Sequence, residues 1–253
     1  MNYTYLPEKT EIKNNIMFGK HSFDFQYHTD EIEIGIKKEN GFFKYYRRIP
    51  GDDVFEKKIL EENGMVIINP VEPVNLPKTV TKSNHLEIEF DPVIVGPNQK
   101  KEIFLKFPVE IGVFLISNKY SHLIDIFSFN SPKLSLYGNP NGGTITRWTK
   151  SEIYSSVPET DNQKEGVISI EIENKMSEWM EINRIILDGY GMKLYYDKSL
   201  VSMAGRMKIQ SKKDAETLCC ARPLNKGMKK SIEVFAARNI PVVGKTFTME
   251  WGY

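Results

Sequence analysis

Two glutamates stand out by their surroundings. Glu72 lies in Met65–Pro77 (MVIINPVEPVNLP), among three prolines. Proline removes a backbone donor and holds extended geometry, so this stretch should be rigid and at most an edge strand, presenting one carboxylate. Glu110 interrupts Phe107–Phe114 (FPVEIGVF), which is otherwise apolar. A carboxylate at a core-like position is costly unless it is paired, and Arg47, Arg48 and Arg147 are the candidate cations. Facing each other across a cleft, Glu72 and Glu110 would supply the acid and the base of glycoside hydrolysis. The plainer reading keeps both structural, with Glu72 on a strand that crosses between sheets and satisfied by backbone donors.

A second constellation is cationic. In a strand at Tyr45-Tyr46-Arg47-Arg48, Tyr45 and Arg47 share one face while Tyr46 and Arg48 share the other. One face would then offer an anion a guanidinium beside a tyrosine ring. Lys133 to Trp148 gathers Lys133, Tyr137, Arg147 and Trp148 around the turn Gly138–Gly143. Such a cluster makes either a carbohydrate or anion platform, or an ordinary hairpin with cross-strand aromatic pairs. The adjacent Cys219-Cys220 does not complete a metal site and is read as inert. No Gly-rich phosphate loop, Gly-x-Ser-x-Gly elbow or Cys-x-x-Cys spacing occurs, and His21, His28, His85 and His122 are scattered. No cofactor or metal is expected.

Strands must position these groups. Alternation recurs in Phe23–Tyr27, Ile32–Ile36, Leu86–Phe90, Ile103–Phe107, Leu134–Tyr137, Val167–Ile172 and Met180–Ile185. Period-2 patterning puts one face in the core and the other in water, as in antiparallel sheets. Turn chemistry separates the runs, with Asn-Gly at Asn40-Gly41 and Asn63-Gly64 and a strong turn at Asn139–Gly143. Helical signals are few: Val54–Glu62 behind an Asp52 or Asp53 cap, a short turn through Ala215–Cys220 behind Asp214, and Ser231–Asn239, which reads equally as helix or strand.

Bulk properties narrow the class. The 253 residues hold 34 Lys+Arg against 33 Asp+Glu, so no basic excess points to nucleic acid. The most apolar stretch, Ile103–Ile116, contains Lys106, Pro108 and Glu110 and is too short to span a bilayer. The first fifteen residues have no apolar core of a signal peptide, and two neighbouring cysteines are no disulfide framework. A cytoplasmic location is expected.

The runs Tyr45–Arg48, Asn69–Pro77 (NPVEPVNLP), FPVEIGVF, Leu136-Tyr137-Gly138 and Thr146-Arg147-Trp148 resemble an archaeal family found in methanogens, domain-of-unknown-function family 432. The similarity covers nearly the whole chain. It implies an archaeal cytoplasmic protein and no particular activity, so it brings no catalytic residues.

The expectation is a mainly β chain of two β-sandwich-like (immunoglobulin-like) domains with few short helices. They span 1–155 and 166–253, with 156–165 as the linker because Ser155–Gly166 is polar and lacks apolar periodicity. The expected role is a non-enzymatic binding or interaction module whose partner is a protein or a small anionic or polar ligand. Arg47, Arg48, Glu72, Glu110, Tyr137 and Arg147 are its candidate binding residues. The alternative is a carbohydrate-active hydrolase using Glu72 and Glu110. A third reading is an assembly component whose exposed apolar strands pair with another chain.

Overall fold

The computed structural model describes residues 17–61, 64–77, 84–117, 120–238 and 246–253. Strands dominate, as the alternation predicts, and they form four sheets. One orders Gly19–Ser22, Met65–Val71, Glu110–Ser117 and Tyr120–Phe127; a second orders Gln26–His28, Glu33–Glu39, Phe42–Arg48 and Phe55–Ile59. The third orders Leu134–Tyr137, Thr144–Lys150, His85–Val95 and Met180–Asp188. The fourth, of seven strands, is built around Lys100–Pro108, Glu165–Asn174 and Val201–Ile209.

The sheets run across the division expected at 156–165. Glu165–Asn174 pairs antiparallel with Lys100–Pro108 along its length, and Met180–Asp188 pairs with His85–Val95. Gly166 sits against the Phe107 ring so closely that a Cβ there would lie 2.4 Å from it. A single buried apolar cluster reaches from Met17 to Met249. Burial of apolar surface on both sides of the polar stretch thus places residues of both halves in one shared cluster.

Local readings also change. Phe55–Ile59 within Val54–Glu62 is an edge strand paired with Phe42–Arg48, not a helix. Ala215–Cys220 is a strand between Val201–Ile209 and Thr246–Met249. In Ser231–Asn239 the helix option holds for Val234–Ala237, while Asn239 lies outside the described residues, as do Asn63 and the first fifteen residues. Met65–Val71 lies inside its sheet as far as Ile68, which pairs with Gly19; from Asn69 only the Glu110 side remains paired. Pro70 therefore falls where one neighbour has already ended, which is where a sheet tolerates proline.

Candidate anion site at Arg147

Thr144–Lys150 runs between the edge strand Leu134–Tyr137 and His85–Val95. Paired residues share a face, and successive residues alternate. Thr146 and Trp148 therefore stand on the face of Glu87 and Glu89: Thr146 Oγ1 donates to Glu87 at 2.6 Å and Trp148 Nε1 to Glu89 at 3.0 Å. Arg147 points the other way, with its partner Leu86, into the interior. It is 1% exposed, and its Nε and Nη1 are buried with no hydrogen-bond partner among the described residues. Burial pulls its pKa down, and the Glu110 charge opposes that. Guanidinium nonetheless stays cationic in proteins.

Arg147 lines a cavity of about 320 Å³ together with Lys106, Lys133, Lys150, Trp148 and Glu165. Two of these cations have partners: Lys106 reaches Glu165 at 3.0 Å and Lys150 reaches Asp91 at 3.1 Å. Lys133 makes no ion pair among the described residues; its ammonium lies 5.7 Å from the centre of the Trp148 ring. The Lys133 carbonyl accepts from Trp148 N–H at 2.9 Å, which fixes this lysine at the start of the edge strand. The lining thus includes two cations with no ion pair among the described residues, the buried Arg147 and the exposed Lys133.

The other candidate residues are engaged elsewhere. Arg47 Nε donates to Asp125 at 2.7 Å, Tyr45 donates to the same oxygen at 3.0 Å, and the guanidinium lies 5.5 and 5.1 Å from the Phe55 and Phe127 rings. The anion expected on that face is the protein's own Asp125. Arg48, on the opposite face with Tyr46, pairs with Glu33 at 3.0 Å. Tyr137 donates to Gly252 carbonyl at 2.8 Å and accepts from Trp251 N–H at 2.9 Å, so it secures the segment 251–252.

Glu110 is fully buried and accepts from Asn75 N–H at 2.9 Å and Leu76 N–H at 3.1 Å; burial pushes its pKa up to about 7. Glu72 accepts from Val234 N–H at 3.1 Å, and burial pushes it to about 7 as well. The two carboxylates hold different elements, each through backbone donors, and neither lines the Arg147 cavity. That is how structural carboxylates are arranged, and the acid–base pair of a hydrolase finds no support in it. Glu110 does contribute to the site indirectly, as the charge behind Arg147.

A family model described as "Protein of unknown function (DUF432)" matches residues 17–250. The chain belongs to this family. No curated protein and no solved structure matches it. The match spans every residue of the cavity in this DUF432 chain. Among the described residues of this DUF432 protein, no helix is long and apolar enough to cross a membrane, and no group of His, Cys, Asp or Glu is placed to hold a metal ion.

Sequence reasoning named Arg147 and noticed Lys133 and Trp148, but it missed Lys106, Lys150 and Glu165. Lys106 and Glu165 come together only through the pairing of Lys100–Pro108 with Glu165–Asn174. Asp125 was also missed, although it had a signal: it interrupts an apolar run, Ile124-Asp125-Ile126, as Glu110 does.

Proposed function

We propose that this protein is a non-enzymatic binding module that takes an anionic group, a carboxylate or a phosphate, in the Arg147 cavity. The observation that carries the reading is the buried Arg147 guanidinium with two unpartnered donors. A buried donor left unsatisfied costs about 1–3 kcal/mol. An oxyanion oxygen that accepts from one of these N–H groups relieves part of that cost. Lys133 adds a second positive charge to the lining. A reducing, cytoplasmic setting agrees with two free cysteines and with burial pushing the Cys219 thiol up to about 12.

Isothermal titration with inorganic phosphate and with acetate tests this. The expected result is saturable binding of one of them with Kd near or below about 1 mM, weakened roughly tenfold by Arg147→Lys, which keeps charge but loses the fork. Binding that is absent for both anions, or unchanged in Arg147→Lys, would overturn the reading.

A further inference from the structure

The edge strand beside the cavity carries its own information. Among the described residues nothing pairs with the outer side of Leu134–Tyr137. The Trp148 N–H to Lys133 carbonyl bond makes Lys133 and Trp148 a hydrogen-bonded pair. In an antiparallel ladder such pairs alternate, so Leu134 and Leu136 direct their N–H and C=O groups outward. Their side chains stand on the same face as Arg147, since Leu134 pairs with Arg147 and Leu136 with Ile145. Leu134, Leu136 and Ile145 are each 40–45% exposed. A strip of apolar side chains thus leads along an open strand edge to a cationic cavity at the strand's beginning.

Resting on the anion reading above, we propose that the ligand is the C-terminus of an extended peptide. It adds as a strand to Leu134–Tyr137 with its terminal carboxylate in the cavity that Arg147 lines. The cavity lies at the Lys133 end, so the peptide runs toward that end, antiparallel to Leu134–Tyr137. The outward N–H and C=O groups of Leu134 and Leu136 receive its backbone. Alternate apolar side chains of the peptide cover Leu134, Leu136 and Ile145. The charge of the cavity selects a free carboxylate over an amide. A free strand edge with exposed apolar side chains otherwise invites unspecific pairing, and a terminal carboxylate site makes that pairing selective.

The test is fluorescence anisotropy with an N-terminally labelled hexapeptide of alternating valine and threonine, as the free acid and as the C-terminal amide. The acid is expected to bind at least about tenfold tighter than the amide. Leu136→Pro removes an outward N–H without touching the inner ladder. It should weaken the peptide at least about tenfold while phosphate or acetate binding stays as in the wild type. The double variant Leu134→Ser with Leu136→Ser, at exposed positions, should also weaken the peptide and guards against misfolding by proline. Equal binding of acid and amide, or no peptide binding while the small anion still binds, overturns the peptide proposal and leaves the anion site standing. A concentration-dependent dimer lost in Leu136→Pro, without peptide binding, overturns it in favour of a second copy at this edge. Failure of the small anions as well removes both readings.

Discussion

Arg47 and Arg147 both lie within sheets, 9% and 1% exposed, yet their surroundings are opposite. Around Arg47 the protein supplies Asp125 and two aromatic rings. Around Arg147 it supplies a cavity and the Glu110 carboxyl group, and among the described residues nothing for Nε and Nη1 to donate to. The first arrangement is finished within the chain; in the function proposed above, the second is completed by the ligand. Stability measurements should separate them. Arg47→Met removes the Arg47 guanidinium from the buried Asp125 carboxylate and should cost about 3–5 kcal/mol. Arg147→Met removes the unpartnered donors and keeps apolar volume, so its cost should stay below about 1 kcal/mol, or turn into a gain. Urea unfolding midpoints at unchanged m would show this. Equal losses would make Arg147 as structural as Arg47 and erase the contrast.

The carboxylates behind these arginines sharpen the comparison through pH. Glu110 and Glu72 have pKa values raised from 4.5 to about 7 by burial. Between those values the folded chain holds protons that the unfolded chain has lost, so stability falls as pH rises through that window. Each unit is worth about 1.4 kcal/mol, so each residue contributes on the order of 3 kcal/mol of loss by neutral pH. The melting temperature should drop by roughly 5–10 °C per residue between pH 5 and 8. In Glu110→Gln one amide of the Asn75–Leu76 pair faces an NH₂ group, so the absolute stability falls while the slope with pH becomes shallower. Calorimetric melting across the window reads the slope; a slope unchanged by Glu110→Gln would mean that Glu110 is already ionised in the fold.

Much of this architecture could be read from local pattern. Leu86–Phe90 and Val167–Ile172 alternate cleanly, and both lie in long strands. The turn Asn139–Gly143 joins two paired strands, with Gly143 N–H bonded to the Asn139 carbonyl at 2.6 Å. Local pattern says least where pairing between strands decides. Val54–Glu62 behind an Asp52 or Asp53 cap reads as two helical turns, but pairing with Phe42–Arg48 makes Phe55–Ile59 a strand, with Glu56, Lys57 and Lys58 exposed on it. Charged side chains suit such an edge. The polar stretch 155–166 carries the composition of a linker, and nothing local announces that the next strand returns to Lys100–Pro108. The same non-local pairing hid half of the cavity. Arg147 was found by its neighbours in sequence, and Lys106 and Glu165 by theirs only in space.

Tyr137 and Arg48 extend the contrast to smaller effects. Tyr137 is 3% exposed and its hydroxyl both donates to Gly252 and accepts from Trp251. Losing two bonds at about 0.5–1.5 kcal/mol each, Tyr137→Phe should cost about 1–3 kcal/mol. Arg48 makes a single ion pair with Glu33 at the surface, so Arg48→Ala should cost less than about 1 kcal/mol and lose most of that effect in salt. Amide hydrogen exchange distinguishes the two beyond magnitude. The Trp251 N–H bonds to Tyr137, so its exchange should speed up in Tyr137→Phe and stay unchanged in Arg48→Ala. If anion binding at Arg147 survives in Tyr137→Phe, Tyr137 serves to fasten segment 251–252 alone. If it weakens in step with Trp251 exchange, that fastening also holds the edge strand in the place the ligand needs.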